Sequence, residues 1–277
     1  MDHPASSPPP LPPAPPQAAF TRPLAWLRAG WRDYTAVPVA STLHGLLFLL
    51  FALAIVAIGW RDSGLLAGAF SGFVLVAPVL VTGFHELSRR LGTGEALPRF
   101  AIQALVAVWR RRGARLAAFG ALLAVIGTGW VLFSTLLARL SIGPIAAQSV
   151  GSPNGGPGAA AAGGASPIGV SGFLHQFATA GDGWLFVWFL AGGLVAAVVF
   201  AISAISVPML VDRDVSLREA IRTSVAATGT HPVEMASWAA LIMLLTLAGS
   251  LTLVGLVVVV PLLGHATWHA YRDIAGR

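Results

Sequence analysis

Residues 72–90 read GFVLVAPVLVTGFHELSRR, and residues 255–273 read GLVVVVPLLGHATWHAYRD. Each stretch starts with glycine, stays almost wholly apolar around a central proline, and ends next to arginine. Three positions match when the two are aligned: Gly72 with Gly255, Pro78 with Pro261, and Arg89 with Arg272. A proline-bearing apolar segment that recurs in one register indicates an internal repeat of membrane helices.

The composition indicates a protein that is largely covered by lipid. Of its 277 residues, 56% are hydrophobic and only 10% are charged, whereas a soluble domain carries about 25% charged residues. So few charges cannot cover a water-exposed surface. Cysteine is absent, which excludes disulfides, thiolate nucleophiles and cysteine metal ligands.

The apolar runs divide into six candidate spans, because a membrane helix needs about 20 apolar residues. These are Leu43–Trp60, Gly64–Phe84, Leu116–Leu137, Trp184–Leu210, Pro232–Gly249 and Leu251–Ala270. The last two form one uncharged run that could also cross only once, and the repeat favours a turn near Gly249 and Ser250. The sequence therefore predicts an all-α membrane protein with six transmembrane helices arranged as three hairpins.

The arginines set the expected orientation. With six spans, all of the 17 basic residues except Arg61 and Arg139 fall on one side, which the positive-inside rule assigns to the cytoplasm. All 17 are arginine, which is typical of a GC-rich bacterial genome. We therefore expect a multi-pass protein of the bacterial inner (plasma) membrane, with both termini in the cytoplasm.

The chain divides into a tail and one membrane domain. Residues 1–20 are rich in proline, which predicts a disordered tail, and residues 21–277 form a single membrane domain. The repeat units within it are 21–92, 97–213 and 214–275. Residues 141–182 are rich in glycine and alanine and carry no charge before Asp182, which predicts a flexible outer loop.

A basic amphipathic segment precedes each pair of spans, and we expect each segment to form a helix on the cytoplasmic surface. The segments are Pro23–Ala36, Pro98–Arg112 and Val215–Ala227. In the first, one helical face carries Leu24, Leu27, Trp31 and Tyr34. In the third, Ser216 and Glu219 have the spacing of a capping box, which marks a helix start.

Arginines on these segments are candidate contacts for anionic lipid headgroups, because guanidinium groups bind phosphate. They are Arg110, Arg111, Arg112 and Arg115 in the densest cluster, and Arg28 and Arg32 on the first segment. A second interpretation stays open, in which the segments only cap the bundle and the arginines only set its orientation.

Prolines deep within three spans are expected to kink the helices, because proline frees a backbone carbonyl and clashes with the preceding turn. They are Pro78, Pro208 and Pro261. In lipid, a freed carbonyl must find a partner within the bundle. We therefore expect the second span of each unit to pack inside.

Ionisable side chains cluster at the predicted cytoplasmic ends of the spans: His44, His85, Glu86, His265 and His269. His265 and His269 lie four residues apart and share one helical face. Three interpretations remain open: a structural polar layer, a metal or haem site shared between helices, and a path for protons or ions. The sequence has no phosphate-binding loop, zinc-protease motif or nucleophile elbow, and we predict no cofactor.

Four segments in order resemble an uncharacterised family of bacterial integral membrane proteins, classed as a domain of unknown function. They are RPLAWLRAGWRDY from Arg22, FVLVAPVLVTGFHELSRR from Phe73, SVPMLVDRDVSLREAI from Ser206 and VVVVPLLGHATWHAYRDI from Val257. Some members carry an automatic label that likens them to subunit I of cytochrome c oxidase. The resemblance covers about residues 22–274, and it implies a multi-span inner-membrane protein with no established activity.

These observations favour a non-enzymatic membrane protein whose work is binding. The expected partner is anionic lipid, or another membrane protein that packs on small-residue faces such as Gly192 and Gly193; we expect no nucleic acid. Two alternatives stay open: a redox-linked accessory subunit of a respiratory complex with a haem or metal site, and a small transporter.

Overall fold

A computed structural model describes residues 16–61, 80–97, 101–150, 184–252 and 254–276 of the protein. The helices are α1 (Pro16–Ala36), α2 (Pro38–Arg61), α3 (residues 80–93), α4 (Ala101–Val150), α5 (Trp184–Ser203), α6 (Ser206–Asp212), α7 (Leu217–Thr230), α8 (Pro232–Thr252) and α9 (Leu256–Ile274). No strand occurs in these ranges, so the predicted all-α fold class is confirmed for them.

Three stretches are long and apolar enough to cross a membrane: Gln103–Ser134 in α4, Phe186–Asp212 across α5 and α6, and Pro232–Thr252 in α8. They overlap the third, fourth and fifth predicted spans. Helices α1 and α2 add a fourth if they form one span bent by 106°. The predicted span Gly64–Phe84 lies almost wholly outside the described residues. The part of the chain that is described thus holds three or four candidate spans, where the sequence predicted six.

The run between residues 232 and 270 forms two helices rather than one. Helix α8 continues to Thr252, and α9 begins at Leu256 and packs against α8. The turn therefore lies a few residues after the predicted Gly249 and Ser250. Helix α9 is not among the helices that are apolar enough to cross a membrane alone, because its second half carries histidine, arginine and aspartate.

Helix α4 joins two elements that the sequence predicts as separate. It is one helix of 50 residues, so the predicted surface helix Pro98–Arg112 and the third span are continuous from Ala101 onward. It also extends into the predicted loop at 141–182, as far as Val150. Similarly, α1 begins at Pro16, within the predicted tail. Proline is tolerated in a first helical turn, and the glutamine and alanines after it are good helix formers.

Helix α9 lies at the centre of the described packing and contacts α1, α2 and α8. At two positions the helices approach so closely that only glycine fits. A Cβ atom on Gly30 of α1 would lie 2.6 Å from the backbone nitrogen of Ala266, and one on Gly45 of α2 would lie 2.3 Å from the carbonyl oxygen of Val257. The second half of α9 is therefore buried by its neighbours, as expected for an inner helix.

Two of the three prolines that were expected to kink helices lie in the described residues. Pro261 lies within α9. Pro208 lies within α6, and two residues separate the end of α5 at Ser203 from the start of α6 at Ser206. At that break the hydroxyl of Ser224 accepts a hydrogen bond from the Ile205 N–H at 3.1 Å and donates one to the Ala201 carbonyl at 2.7 Å. A side chain of α7 thus replaces one missing backbone bond. Pro78 lies outside the described residues.

Candidate functional site

The amphipathic helices α1 and α7 pack against the bundle through faces that carry several small residues, together with Trp26 on α1. In α1 the residues Trp26, Ala29 and Gly30 are buried, whereas Leu24 and Trp31 are 42% and 47% exposed. In α7 the buried residues are Ala220, Ser224 and Ala227, and Val225 is exposed. On α1, Leu24 and Trp31 therefore lie on the outer face, whereas Leu27 is half-buried and packs against the core. The N-cap of α7 is confirmed, because the Glu219 N–H donates to the Ser216 hydroxyl at 3.2 Å.

An open groove of about 680 Å³ runs between α1 and α9. Its lining is Ala25, Leu27, Arg28, Trp31, Arg32 and Leu262. Arg28 and Arg32 are exposed, and no hydrogen bond or ion pair joins either one to another side chain in the described part of the protein. Two guanidinium groups thus stand beside an apolar wall with their hydrogen-bond donors available.

The Arg110–Arg115 cluster is engaged in a different way. Arg111 forms an ion pair with Glu86 at 2.9 Å, and Arg112 pairs with Asp214 at 2.7 Å. Arg115 also contacts Asp214, and the two guanidinium groups hold the pKa of that carboxyl below its usual value. Arg110 is exposed. Three of the four arginines that formed the densest predicted lipid contact therefore bind carboxylates of the protein.

Glu86 is the most heavily paired carboxylate in the described residues. It is fully buried and accepts from Arg89 at 2.9 Å, from Arg90 at 2.8 Å and from Arg111 of α4. Burial raises the pKa of this carboxyl, but the surrounding guanidinium groups outweigh burial and lower the pKa below its ordinary value. Glu86 therefore stays ionised and ties α3 to α4.

Further ion pairs connect the helix ends around α9. Arg22 of α1 contacts Glu234 at 3.2 Å and Asp273 at 3.0 Å, and the Trp26 indole N–H donates to Asp273 at 2.9 Å. The Tyr271 hydroxyl donates to Asp212 at 2.6 Å. These contacts lie at the start of α8 and the ends of α6 and α9, so the charged groups gather at one end of the bundle.

The histidines lie close to this charged end, and each has a partner. The Nε2 atom of His44 lies 2.7 Å from the Leu80 carbonyl, and the Nδ1 atom of His85 lies 3.1 Å from the Gly264 carbonyl. His265 is fully buried; its Nε2 atom lies 2.9 Å from Ser41 Oγ and its Nδ1 atom 2.7 Å from Ser88 Oγ. His269 Nε2 lies 2.8 Å from Asp33 Oδ2. In the segments that the structure describes, no three histidines or acids are placed to hold a metal ion.

Several residues that build this region carry little local signal in the sequence. Ser41, Ser88 and Asp33 contact the histidines, but each is a common polar residue near a predicted helix end. Asp33 carried one usable signal, because Trp26, Gly30 and Asp33 follow the spacing of a single helical face. Asp214 and Arg115 are separated by 99 positions, and no local pattern predicts such a pair.

The apolar helices, their length and the charged groups at one end define the class: this is an integral membrane protein. The chain belongs to the family described as predicted integral membrane protein (DUF2189), which matches residues 65–153 and 159–212. The match confirms the family resemblance that the sequence motifs indicated. No curated protein and no solved structure matches the chain.

Proposed function

We propose that this protein is a non-enzymatic, multi-pass protein of the bacterial inner membrane that binds anionic phospholipid on helix α1. The groove beside Arg28 and Arg32 is the observation that carries this function. It combines an apolar wall of Leu27, Trp31 and Leu262 with two guanidinium groups that have no carboxylate partner in the described residues. Acyl chains fit the wall, and a phosphate group fits the guanidinium groups.

The orientation of α1 supports an interfacial position. Helix α1 meets α2 at 106°, so α1 lies nearly parallel to the membrane surface if α2 crosses the membrane. Leu24 and Trp31 then point into the boundary between headgroups and acyl chains, where tryptophan is favoured. Arg28 and Arg32 lie one helical turn apart beside them, at the depth of the phosphates.

The alternative lipid contact at Arg110–Arg115 is less favourable. A phosphate there would have to displace Asp214 from Arg112 and Arg115, and Glu86 from Arg111. Arg28 and Arg32 carry no such competition within the described residues. We therefore assign the headgroup contact to Arg28 and Arg32.

The charged end of the bundle supports the six-span topology with both termini in the cytoplasm. Arginines from α1, α3, α4 and α9 take part in its ion pairs, and the positive-inside rule assigns such an end to the cytoplasm. Because the chain has no cysteine, single cysteines can report the topology. Ser6→Cys and Gly276→Cys should react with a membrane-impermeant maleimide only after the inner face is opened; reaction of either in intact cells contradicts the topology.

Native mass spectrometry tests lipid binding. The full chain is released from mixed micelles that contain phosphatidylglycerol and phosphatidylcholine, and the bound lipids are counted. We expect the wild type to retain phosphatidylglycerol and the double variant Arg28→Gln/Arg32→Gln to lose most of it. The matched control is Arg112→Gln/Arg115→Gln, which removes the same charge from arginines that already bind Asp214. Equal retention by the wild type and the α1 variant overturns the proposal, and so does an equal loss in the control.

A further inference from the structure

Helices α1 and α7 divide into buried and exposed faces in the same order. A single residue separates each of them from a helix that begins with proline and valine, so Pro38 corresponds to Pro232. At that same separation in the chain, most residues of α7 have the exposure of their counterparts in α1. The buried pairs are Trp26 with Ala220 and Gly30 with Ser224, the half-buried pair is Leu27 with Ile221, and the exposed pairs are Arg28 with Arg222, Trp31 with Val225 and Arg32 with Ala226.

The buried faces of both helices rest against a helix that contains proline. Helix α1 packs on α8 and α9, and α7 packs on α5 and α6. Gly30 approaches the backbone of Ala266 in α9, and Ser224 accepts a hydrogen bond from the Ile205 N–H at the start of α6. Because corresponding faces of α1 and α7 are covered, the faces that remain open also correspond.

An open groove of about 620 Å³ follows the outer face of α7. Val225 in this groove is 46% exposed, and its counterpart Trp31 is 47% exposed. Apart from Thr223, each residue of the lining corresponds to a residue that lines the groove on α1. The lining is Glu219, Ile221, Arg222, Thr223, Val225 and Ala226. The two grooves are therefore built from corresponding positions of α1 and α7.

Two arginines stand on the outer face of α7 with their hydrogen-bond donors available. Arg222 lines the groove, and Arg218 lies one helical turn before it. Both are exposed, and no hydrogen bond or ion pair joins either one to another side chain in the ranges that the structure describes. In helical projection, Arg218 lies between Arg222 and Val225, whereas Glu219 lies on the opposite side of Arg222. The positive charge therefore borders the apolar side of the groove.

The start of α4 follows the same order of exposure but lacks the arginine. Two buried residues, Ala104 and Leu105, precede an exposed valine there, in the order found at residues 29–31 of α1. The residue before them is Gln103, which stands where α1 has Arg28. A phosphate contact of this kind is therefore expected on α1 and α7, and not at the start of α4.

The position of α7 favours lipid as the occupant of its groove. Only His231 separates α7 from α8, which is long and apolar enough to cross a membrane. Glu234, in the first turn of α8, pairs with Arg22 at the charged end of the bundle. If α8 spans the bilayer, α7 lies at the level of the headgroups. A free phosphate would leave Val225 uncovered, whereas a phospholipid covers it with an acyl chain.

We propose that α7 carries a second site for anionic phospholipid. Arg218 and Arg222 bind the phosphate, and Ile221 and Val225 contact an acyl chain. The inference rests on the lipid binding proposed for α1, because it extends the same chemistry to a corresponding face. The site on α7 is the weaker of the two, because the carboxylate of Glu219 borders it and valine offers less apolar surface than tryptophan.

Native mass spectrometry separates the two sites when the fraction of phosphatidylglycerol in the mixed micelles is raised. We expect the wild type to retain one molecule of phosphatidylglycerol at a low fraction and a second one at a higher fraction. Arg218→Gln/Arg222→Gln should retain only the first molecule. The double variant of α1 should lose the first molecule and retain one only at the higher fraction. The double variant at the Asp214-bound arginines of α4 is the matched control and should retain both.

The outcomes distinguish the site on α7 from the function proposed for α1. If the α7 variant takes up the second molecule as the wild type does, the site on α7 is overturned, and a loss of the first molecule from the α1 variant still supports the proposed function. If only the α7 variant loses a molecule, the binding proposed for α1 fails and the site on α7 stands. A loss of the second molecule from the control variant overturns the assignment to α7.

A spin label at Ala226→Cys distinguishes lipid from free phosphate. The protein has no cysteine of its own, and Ala226 is exposed beside Val225, so the label leaves the arginines and the apolar contact in place. Adding phosphatidylglycerol to phosphatidylcholine nanodiscs should slow the label, and Arg218→Gln/Arg222→Gln should abolish that response. A label at Ser250→Cys, exposed near the other end of α8, is the control and should not respond. A label on α7 that ignores phosphatidylglycerol, or that slows equally with inorganic phosphate alone, overturns the proposal.

Discussion

The carbonyl of Val257, which Pro261 leaves without its usual helical donor, faces the Cα atom of Gly45 on the neighbouring helix. Glycine is needed there, because a Cβ atom would lie 2.3 Å from that oxygen and 2.9 Å from Pro261 Cγ. The proline and the glycine are thus parts of one contact, which holds α2 against the centre of α9.

We predict that Gly45→Ala weakens the bundle although alanine favours helix. Overpacking of this kind costs about 1–3 kcal/mol, more than the gain of about 1 kcal/mol in helix propensity. Equilibrium unfolding in mixed detergent and dodecyl sulfate measures the change. Gly193→Ala is the matched control, because nothing lies within 4 Å of a Cβ atom at that position. If the two variants unfold with the same free energy, the close contact at Gly45 does not contribute to stability and the prediction is wrong.

Ser224→Ala should destabilise the junction between α5 and α6. The variant leaves the Ile205 N–H and the Ala201 carbonyl without the hydroxyl that joins them, and an unsatisfied buried group costs about 1–3 kcal/mol. Amide exchange at Ile205 should accelerate along with a loss of global stability. Ser250→Ala serves as the control, because that exposed serine bonds only to its own helix. Unchanged exchange at Ile205 would show that water replaces the hydroxyl without loss.

Glu86 should make the protein sensitive to acid. Its pKa in the folded protein is lowered, so its contribution to stability is complete above the unfolded carboxyl pKa of about 4.3. That contribution is lost as the pH falls through the lower folded value. Glu86→Gln should lower the free energy of unfolding at neutral pH by about 1–3 kcal/mol. This cost is smaller than for a pair in which both partners are fully buried, because the arginines here reach water. In this variant, the free energy of unfolding should also depend less on pH below about pH 4.3.

The control for Glu86 is Glu95→Gln. Glu95 also pairs with Arg89, at 2.7 Å, but it is exposed, and exposed pairs contribute little. Unfolding measured from neutral pH down to about pH 3 compares the three proteins. If Glu95→Gln and Glu86→Gln change the acid response equally, burial of Glu86 is not its cause.

Local signals in the sequence predicted the helical class and much of the helix placement. Long uncharged runs identified α5 and α8, and the spacing of Ser216 and Glu219 identified the start of α7. Such signals depend on neighbouring residues, so they can be read from one chain. The surface helix and the third span were predicted as separate elements, but α4 runs through both without a break, because the lone Gly113 between them does not end a helix whose flanks favour it.

The candidate site was less predictable, because it depends on which helix faces meet. The apolar face of α1 was visible in the sequence, but the local pattern did not show that α1 contacts the bundle through the face with Trp26 and Gly30, where backbones approach closely. A cluster of arginines looked free because its partner, Asp214, lies 99 positions from Arg115. The histidines were visible in the sequence as a group. Only the folded chain shows that His265, unlike His44 and His85, contacts two serine hydroxyls.

The uninterrupted length of α4 has a geometric consequence. Its 50 residues make a rod of about 75 Å at about 1.5 Å per residue, whereas the hydrocarbon layer is about 30 Å thick. Even when strongly tilted, such a rod must emerge from the bilayer. At least one end of α4 therefore lies outside the hydrocarbon layer, in the headgroup region or in water.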